Sequence, residues 1–225
     1  FGYLSAVIAG FLLTAIPNWT GRLPVTGAPL IALFALWAAG RVAMLGGESI
    51  ATALIDSAFL FALAGIVARE ILAGRNVRNI PVCGLILLLA VANVCAHAGA
   101  CAPDVARLGE RIGIGAISML VCLVGGRITP SFTRNWMAKQ RLKPEPAPAD
   151  RFDILMLALT AITVLAWAVA GEGQLIGVSL ACAGALNFVR LSRWKGWRTF
   201  AEPLVAVLHI GYGWLAFGLV LLGAS

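Results

Sequence analysis

Eight apolar runs, each long enough to cross a bilayer, constrain this chain more than any other feature. The hydrocarbon core is about 30 Å thick, so a spanning helix needs about 17–25 predominantly apolar residues. Such runs lie near residues 1–17, 29–46, 50–68, 81–98, 109–126, 152–170, 174–191 and 203–223. Of the residues 60% are hydrophobic and 12% charged, and mean hydropathy is +0.92. A soluble domain is about half apolar and about a quarter charged, and disorder needs low hydrophobicity, so both are excluded. The fold class expected is all-α, a polytopic membrane helical bundle of about eight spanning helices. Residues 1–225 read as a single membrane-embedded helical region. Prolines punctuate the run boundaries at Pro17, Pro29, Pro81, Pro130 and Pro203, as proline favours a first helical turn or a site just past a helix end.

The formal charge of +7 falls in the short segments between runs. Fourteen of the seventeen basic residues follow runs one, three, five and seven, Arg127, Arg134, Lys139, Arg190 and Arg198 among them, while Glu48, Asp104, Glu110 and Glu172 mark the alternate segments. The positive-inside rule makes the basic side cytoplasmic and places both ends of the chain outside. Trp19, Trp136, Trp194 and Trp197 fall on the same inner boundary, as an aromatic belt does. Charge used for topology leaves no case for nucleic acid. Residues 127–151 read as a cytoplasmic linker loop, stiffened by Lys143-Pro144-Glu145-Pro146-Ala147-Pro148.

Ionisable groups at membrane depth are expensive and default to functional candidates. Arg41, Asp56, His97 and His209 qualify, with Asn93 and Asn187 as neutral polar companions. Arg41 and Asp56 can pair across a hairpin or snorkel to head groups. At 1.5 Å per residue His97 lies about 24 Å from the inner face and His209 about 9 Å, so the two are not expected to ligate one metal. Each is a candidate metal ligand or a hydrogen-bonded packing residue. Cys95 and Cys101 flank His97, and sulfur with imidazole suits copper or zinc. Gly99 and Pro103 end that helix, which equally makes the cysteines small apolar residues. Asn18-Trp19-Thr20 is a glycosylation sequon on the cytoplasmic side, and Gly109-x3-Gly113 is a small-residue packing motif. No P-loop, HExxH or nucleophile elbow is present.

Several longer stretches follow one another in a specific order. They are Val7-Ile8-Ala9-Gly10-Phe11-Leu12-Leu13-Thr14-Ala15-Ile16-Pro17-Asn18-Trp19-Thr20-Gly21, then Gly126-Arg127-Ile128-Thr129-Pro130-Ser131-Phe132-Thr133-Arg134-Asn135-Trp136, then Trp194-Lys195-Gly196-Trp197-Arg198-Thr199, Glu202-Pro203-Leu204 and Leu208-His209-Ile210-Gly211-Tyr212. With them the chain resembles the NnrS family over essentially its whole length. The resemblance implies a bacterial inner-membrane protein that binds haem and copper and serves nitric oxide metabolism and resistance to nitrosative stress. It leaves open whether such a protein turns nitric oxide over, senses it, or handles the metal that it damages. Carried over by motif, the positions implicated are Asn18, Trp19, Arg22, Arg127, Thr133, Arg134, Asn135, His97 and His209. His209 and His97 are the implied metal ligands. Arg127 and Arg134 suit haem propionates, because an arginine fork matches a carboxylate, or serve only as topogenic charge, and Asn135 stands beside them. Family members carry a His-x-His-Glu-Met-type segment before the position of Phe1 and histidine-bearing helices after that of Ser225. The chain is therefore expected to be an internal fragment of a longer protein, with part of any haem or copper site outside it. The alternatives are a secondary transporter for a small molecule and a structural membrane subunit without its own ligand.

Overall fold

The computed structural model describes residues 1–47, 49–99, 101–143 and 146–224. Glu48, Pro144 and Glu145, used in the charge and linker readings, lie outside the described residues. Among the described residues every regular element is helical: α1 (Gly2–Thr20), α2 (Ala28–Leu45), α3 (Ile50–Ala73), α4 (Ile80–Ala96), α5 (Pro103–Leu120), α6 (Gly126–Lys139), α7 (Arg151–Ala170), α8 (Gln174–Arg193) and α9 (Pro203–Ala224). Among the described residues eight helical runs are long and apolar enough to cross a membrane, which makes this a polytopic helical bundle. The fifth run is Pro103–Lys139, in which a π-helical turn, Val121–Gly125, joins α5 to α6.

Two boundaries differ from expectation. Residues 127–139 of the expected linker are helix. Their arginines and lysine signalled a loop by charge, yet both residue types are good helix formers. Pro17 and Pro130 lie inside α1 and α6 rather than at their ends, whereas Pro29 and Pro81 occupy first turns and α9 begins at Pro203. By its internal packing the chain divides into two compact units, Phe1–Ala116 and Ile117–Ser225, parting within α5 rather than at the linker.

In the first unit α3 is the organiser. Its buried positions Thr52, Asp56, Leu60, Leu63, Val67 and Ile71 recur every three or four residues, giving one continuous inward stripe, on which α1, α2 and α4 pack. Ser49 starts α3 by accepting the Thr52 N–H at 3.1 Å. Between α1, α2 and α3 lies an apolar cleft of about 360 Å³ lined by residues such as Leu13, Leu33, Phe34 and Phe59. Gly109 brings α5 onto α4, where a Cβ would fall 2.6 Å from Ala92 O, so its role is the close helix packing expected of small residues. At the other end Glu70 is 3% exposed. It accepts Arg22 Nε and Arg69 Nη2, each at 2.6 Å, while Asn76 donates to Trp19 O. The Asn18–Arg22 stretch is thereby fastened to the end of α3.

In the second unit α8 and α9 touch backbone to backbone. A Cβ on Gly177 would fall 2.6 Å from Gly223 O, and one on Gly184 2.7 Å from Ala216 O. Membrane helices associate through such small-residue faces because lipid supplies no hydrophobic drive between them. α7 packs on α8, and both α6 and the π turn pack on α9. Asp150 and Asp153 form a capping box that starts α7. The segment before α7 is tied down: Ala147 N–H donates to Arg193 O at 3.3 Å and Arg198 Nη1 to Lys143 O at 2.7 Å.

Candidate functional site

The π turn, Val121–Gly125, lies at the polar centre of the second unit. Cys122 O accepts both the Gly126 N–H and Arg190 Nη1, the latter at 3.1 Å. Gly126 makes the approach possible, since a Cβ there would fall 2.7 Å from Arg190 Cζ, and Gly125 lies 3.2 Å by the same measure from Tyr212 Cδ2. Arg190 is 2% exposed. Its Nε donates to Asp153 Oδ1 at 2.8 Å and its Nη1 to the Tyr212 hydroxyl at 2.8 Å. Tyr212 donates to Asn187 Oδ1 at 2.7 Å, and Asn187 Nδ2 to Thr160 Oγ1 at 3.0 Å. Thr160 closes the chain on Met156 O at 2.7 Å. The buried charge is thus paired and its neighbours satisfied, the condition under which an arginine is tolerated at such a place.

Trp194 carries this centre toward His209. Its ring lies 4.6 Å from that of Tyr212 and 6.5 Å from that of His209, and Arg190 Cζ stands 5.3 Å from it. His209, on α9, is 7% exposed. Nε2 is 2.7 Å from Thr133 Oγ1 on α6, and that hydroxyl is 2.8 Å from Thr129 O. Nδ1 is buried without a hydrogen-bond partner among the described residues. The Trp194–Arg198 turn covers the ring: a Cβ on Gly196 would fall 2.6 Å from His209 Cγ.

Of the residues singled out by motif, the structure brings Thr133 and His209 together. Arg134 and Asn135 sit beside Thr133 in sequence but about 100° and 200° further round the helix. Arg134 is half-buried and Asn135 exposed, and among the described residues their side chains bond to nothing. Arg127 is half-buried and has partners of its own. Neither Arg190 nor Asp153 was singled out from sequence, because Arg190 counted as inner-boundary charge. The available signal was the spacing of Asn187 and Arg190, three apart, and of Asp153 and Thr160, seven apart, on single helical faces.

The first unit holds a separate polar group. Asp56 is buried between Arg41, with which it is ion-paired, and His97, whose Nε2 lies 3.1 Å from Oδ2. Asn93 Nδ2 donates to the same oxygen at 3.1 Å. His97 caps the end of α4 and belongs to a different unit from His209. Cys95 and Cys101 are free thiols.

The chain matches the family model described as NnrS protein over residues 1–225. It belongs to the NnrS family. No curated protein and no solved structure matches it. For a member of this family the question is whether these residues fit haem and copper. Among the described residues no three of His, Cys, Asp and Glu stand together as a metal-binding group, so a copper centre of several such ligands does not fit them. His209 does fit one demand of haem iron, a single imidazole, because it is buried and one ring nitrogen has no hydrogen-bond partner among the described residues.

Proposed function

We propose that this NnrS-family membrane protein serves the response to nitric oxide and nitrosative stress, embedded in the bacterial inner membrane with its basic loops cytoplasmic. His209 is its protein-derived haem ligand, and copper, if the protein carries it, draws ligands from elsewhere. One observation carries the reading: a histidine in a spanning helix, nine-tenths buried, whose Nδ1 has no partner among the described residues. A buried polar atom left unmatched costs free energy, so it calls for an explanation. Haem iron held by histidine binds nitric oxide, with the pocket controlling access. The test is the visible spectrum of the detergent-purified full-length protein, oxidised and reduced, with and without nitric oxide. A Soret band that is lost or displaced in His209→Ala supports the reading. Full haem content and an unchanged spectrum in that variant overturn it.

A second reading, transport of a small molecule, draws on a different observation: ion pairs within the spanning helices, Asp153 with Arg190, both buried, and buried Asp56 with the partly exposed Arg41. Intramembrane charges mark substrate or proton pathways in transporters. Substrate-dependent uptake into liposomes, together with absence of a chromophore, selects this reading over the first.

A further inference from the structure

The bonds around Thr133 leave its hydroxyl one role on each side. A threonine hydroxyl carries a single hydrogen. Thr129 O, 2.8 Å away, is a carbonyl and accepts only, so the hydrogen lies on that side. Turned toward the imidazole instead, it would leave Thr133 Oγ1 and Thr129 O facing each other as lone pairs at hydrogen-bond distance. Thr133 Oγ1 therefore accepts from His209 Nε2, 2.7 Å away. A neutral imidazole has one N–H, and here Nε2 carries it. Nδ1 is then the bare nitrogen, with its lone pair facing no donor among the described residues. The opposite tautomer would bury an N–H with no acceptor, a full desolvation loss. Gly196 packs against the ring, where a Cβ would fall 2.5 Å from Nδ1, and the preceding Lys195 holds the turn at φ 57°.

We propose that His209 meets a metal centre through Nδ1 rather than Nε2, and that Thr133 is the positioning residue that sets this tautomer. The inference rests on His209 being a metal ligand and names the atom that does it. A ligating histidine commonly anchors its other ring N–H on an acceptor, which fixes both tautomer and ring orientation. The relay from His209 Nε2–H through Thr133 to the Thr129 carbonyl is such an anchor, built from two residues one helical turn apart on α6.

Nitrogen NMR of the purified protein, isotope-labelled at histidine, resolves a pair of ring signals for each histidine, two of which lie in residues 1–225. His209→Gln removes one pair and assigns it. The expected result is protonation of His209 at Nε2 alone. Thr133→Val abolishes that preference and Thr133→Ser retains it, since serine supplies the same acceptor. In the haem-loaded protein Thr133→Val shifts the visible bands and Thr133→Ser restores them. Protonation at Nδ1 in the unmodified protein overturns the proposal, whether or not the valine variant folds. An unchanged tautomer in a folded Thr133→Val protein overturns it too. The two readings fail separately: if the tautomer is as stated but His209→Ala keeps its haem, the ligand assignment has failed while the role of Thr133 in setting the ring stands.

Discussion

Asp153→Asn tests the buried ion pair most directly. The carboxylate lies 2.8 Å from Arg190 Nε, with side-chain exposures of 9% for Asp153 and 3% for Arg190. Two unit charges about 4 Å apart are worth about 4 kcal/mol at an effective dielectric of about 20. Removing one partner of a buried pair costs about 3–5 kcal/mol, because the remaining charge is left uncompensated. The asparagine keeps an oxygen for Arg190, so the expected loss is at the lower end, about 3 kcal/mol. Arg190→Met relieves Asp153 of less, since Arg193 Nη1 is still 3.8 Å from its other oxygen. It does strip the donor from Cys122 O and Tyr212, for an expected cost of about 2–4 kcal/mol. The double variant has no charge left to strand and falls short of the sum by about 2 kcal/mol or more. The assay is equilibrium unfolding of the detergent-solubilised protein by tryptophan fluorescence, with all four members of the cycle. The control is Asp104→Ala, whose pair with Arg107 is exposed and worth about 0–1 kcal/mol. An Asp153→Asn protein within about 1 kcal/mol of the parent, or additive single effects, refutes the claim that this pair is coupled and desolvated.

Other outcomes follow from the same contacts. Gly126→Ala drives a methyl group into the Arg190 guanidinium and is expected to cost about 1–3 kcal/mol in the same unfolding assay. Gly10→Ala meets nothing within 4 Å and is expected to be neutral or to stabilise by up to about 1 kcal/mol through helix propensity. Asp150, at the N-cap of α7, is held below the usual carboxylate range chiefly by the Arg193 side chain beside it. A depressed folded value means that its contribution is present above the unfolded value of about 3.9 and is lost as pH falls through the folded value. Asp150→Asn keeps a good N-cap and is expected to flatten the acid limb of a stability profile. An unaltered limb contradicts the pairing.

Much of the fold was legible because one property, the length of an apolar run, is set by the bilayer and read residue by residue. All eight runs stand in the structure as helices of spanning length. The boundaries were less legible where charge and helix propensity disagree, as in 127–139, which basic residues marked as loop and the backbone builds as α6. The site was legible only in part. His209 was singled out as an ionisable group in an apolar run, and Thr133 through its motif, but nothing in sequence pairs two residues on helices 76 positions apart. Arg134 and Asn135 share the Thr133 motif and are turned to other faces of the same helix, since adjacent residues on a helix never share a face.

The sequence by itself therefore determined the class of solvent, the number of crossings and the few polar groups that had to be reckoned with, because each follows from the cost of transferring local chain segments into hydrocarbon. Tertiary structure decided which of those groups are partnered and which is not. Arg190 looks like boundary charge until Asp153, Tyr212 and the Cys122 carbonyl in the π turn converge on it. His209 looks like any membrane histidine until Thr133 takes one nitrogen and the other is left without a partner among the described residues. Hydrogen bonds and ion pairs act over about 3 Å, and only the packing of helices distant in sequence brings their partners within that range.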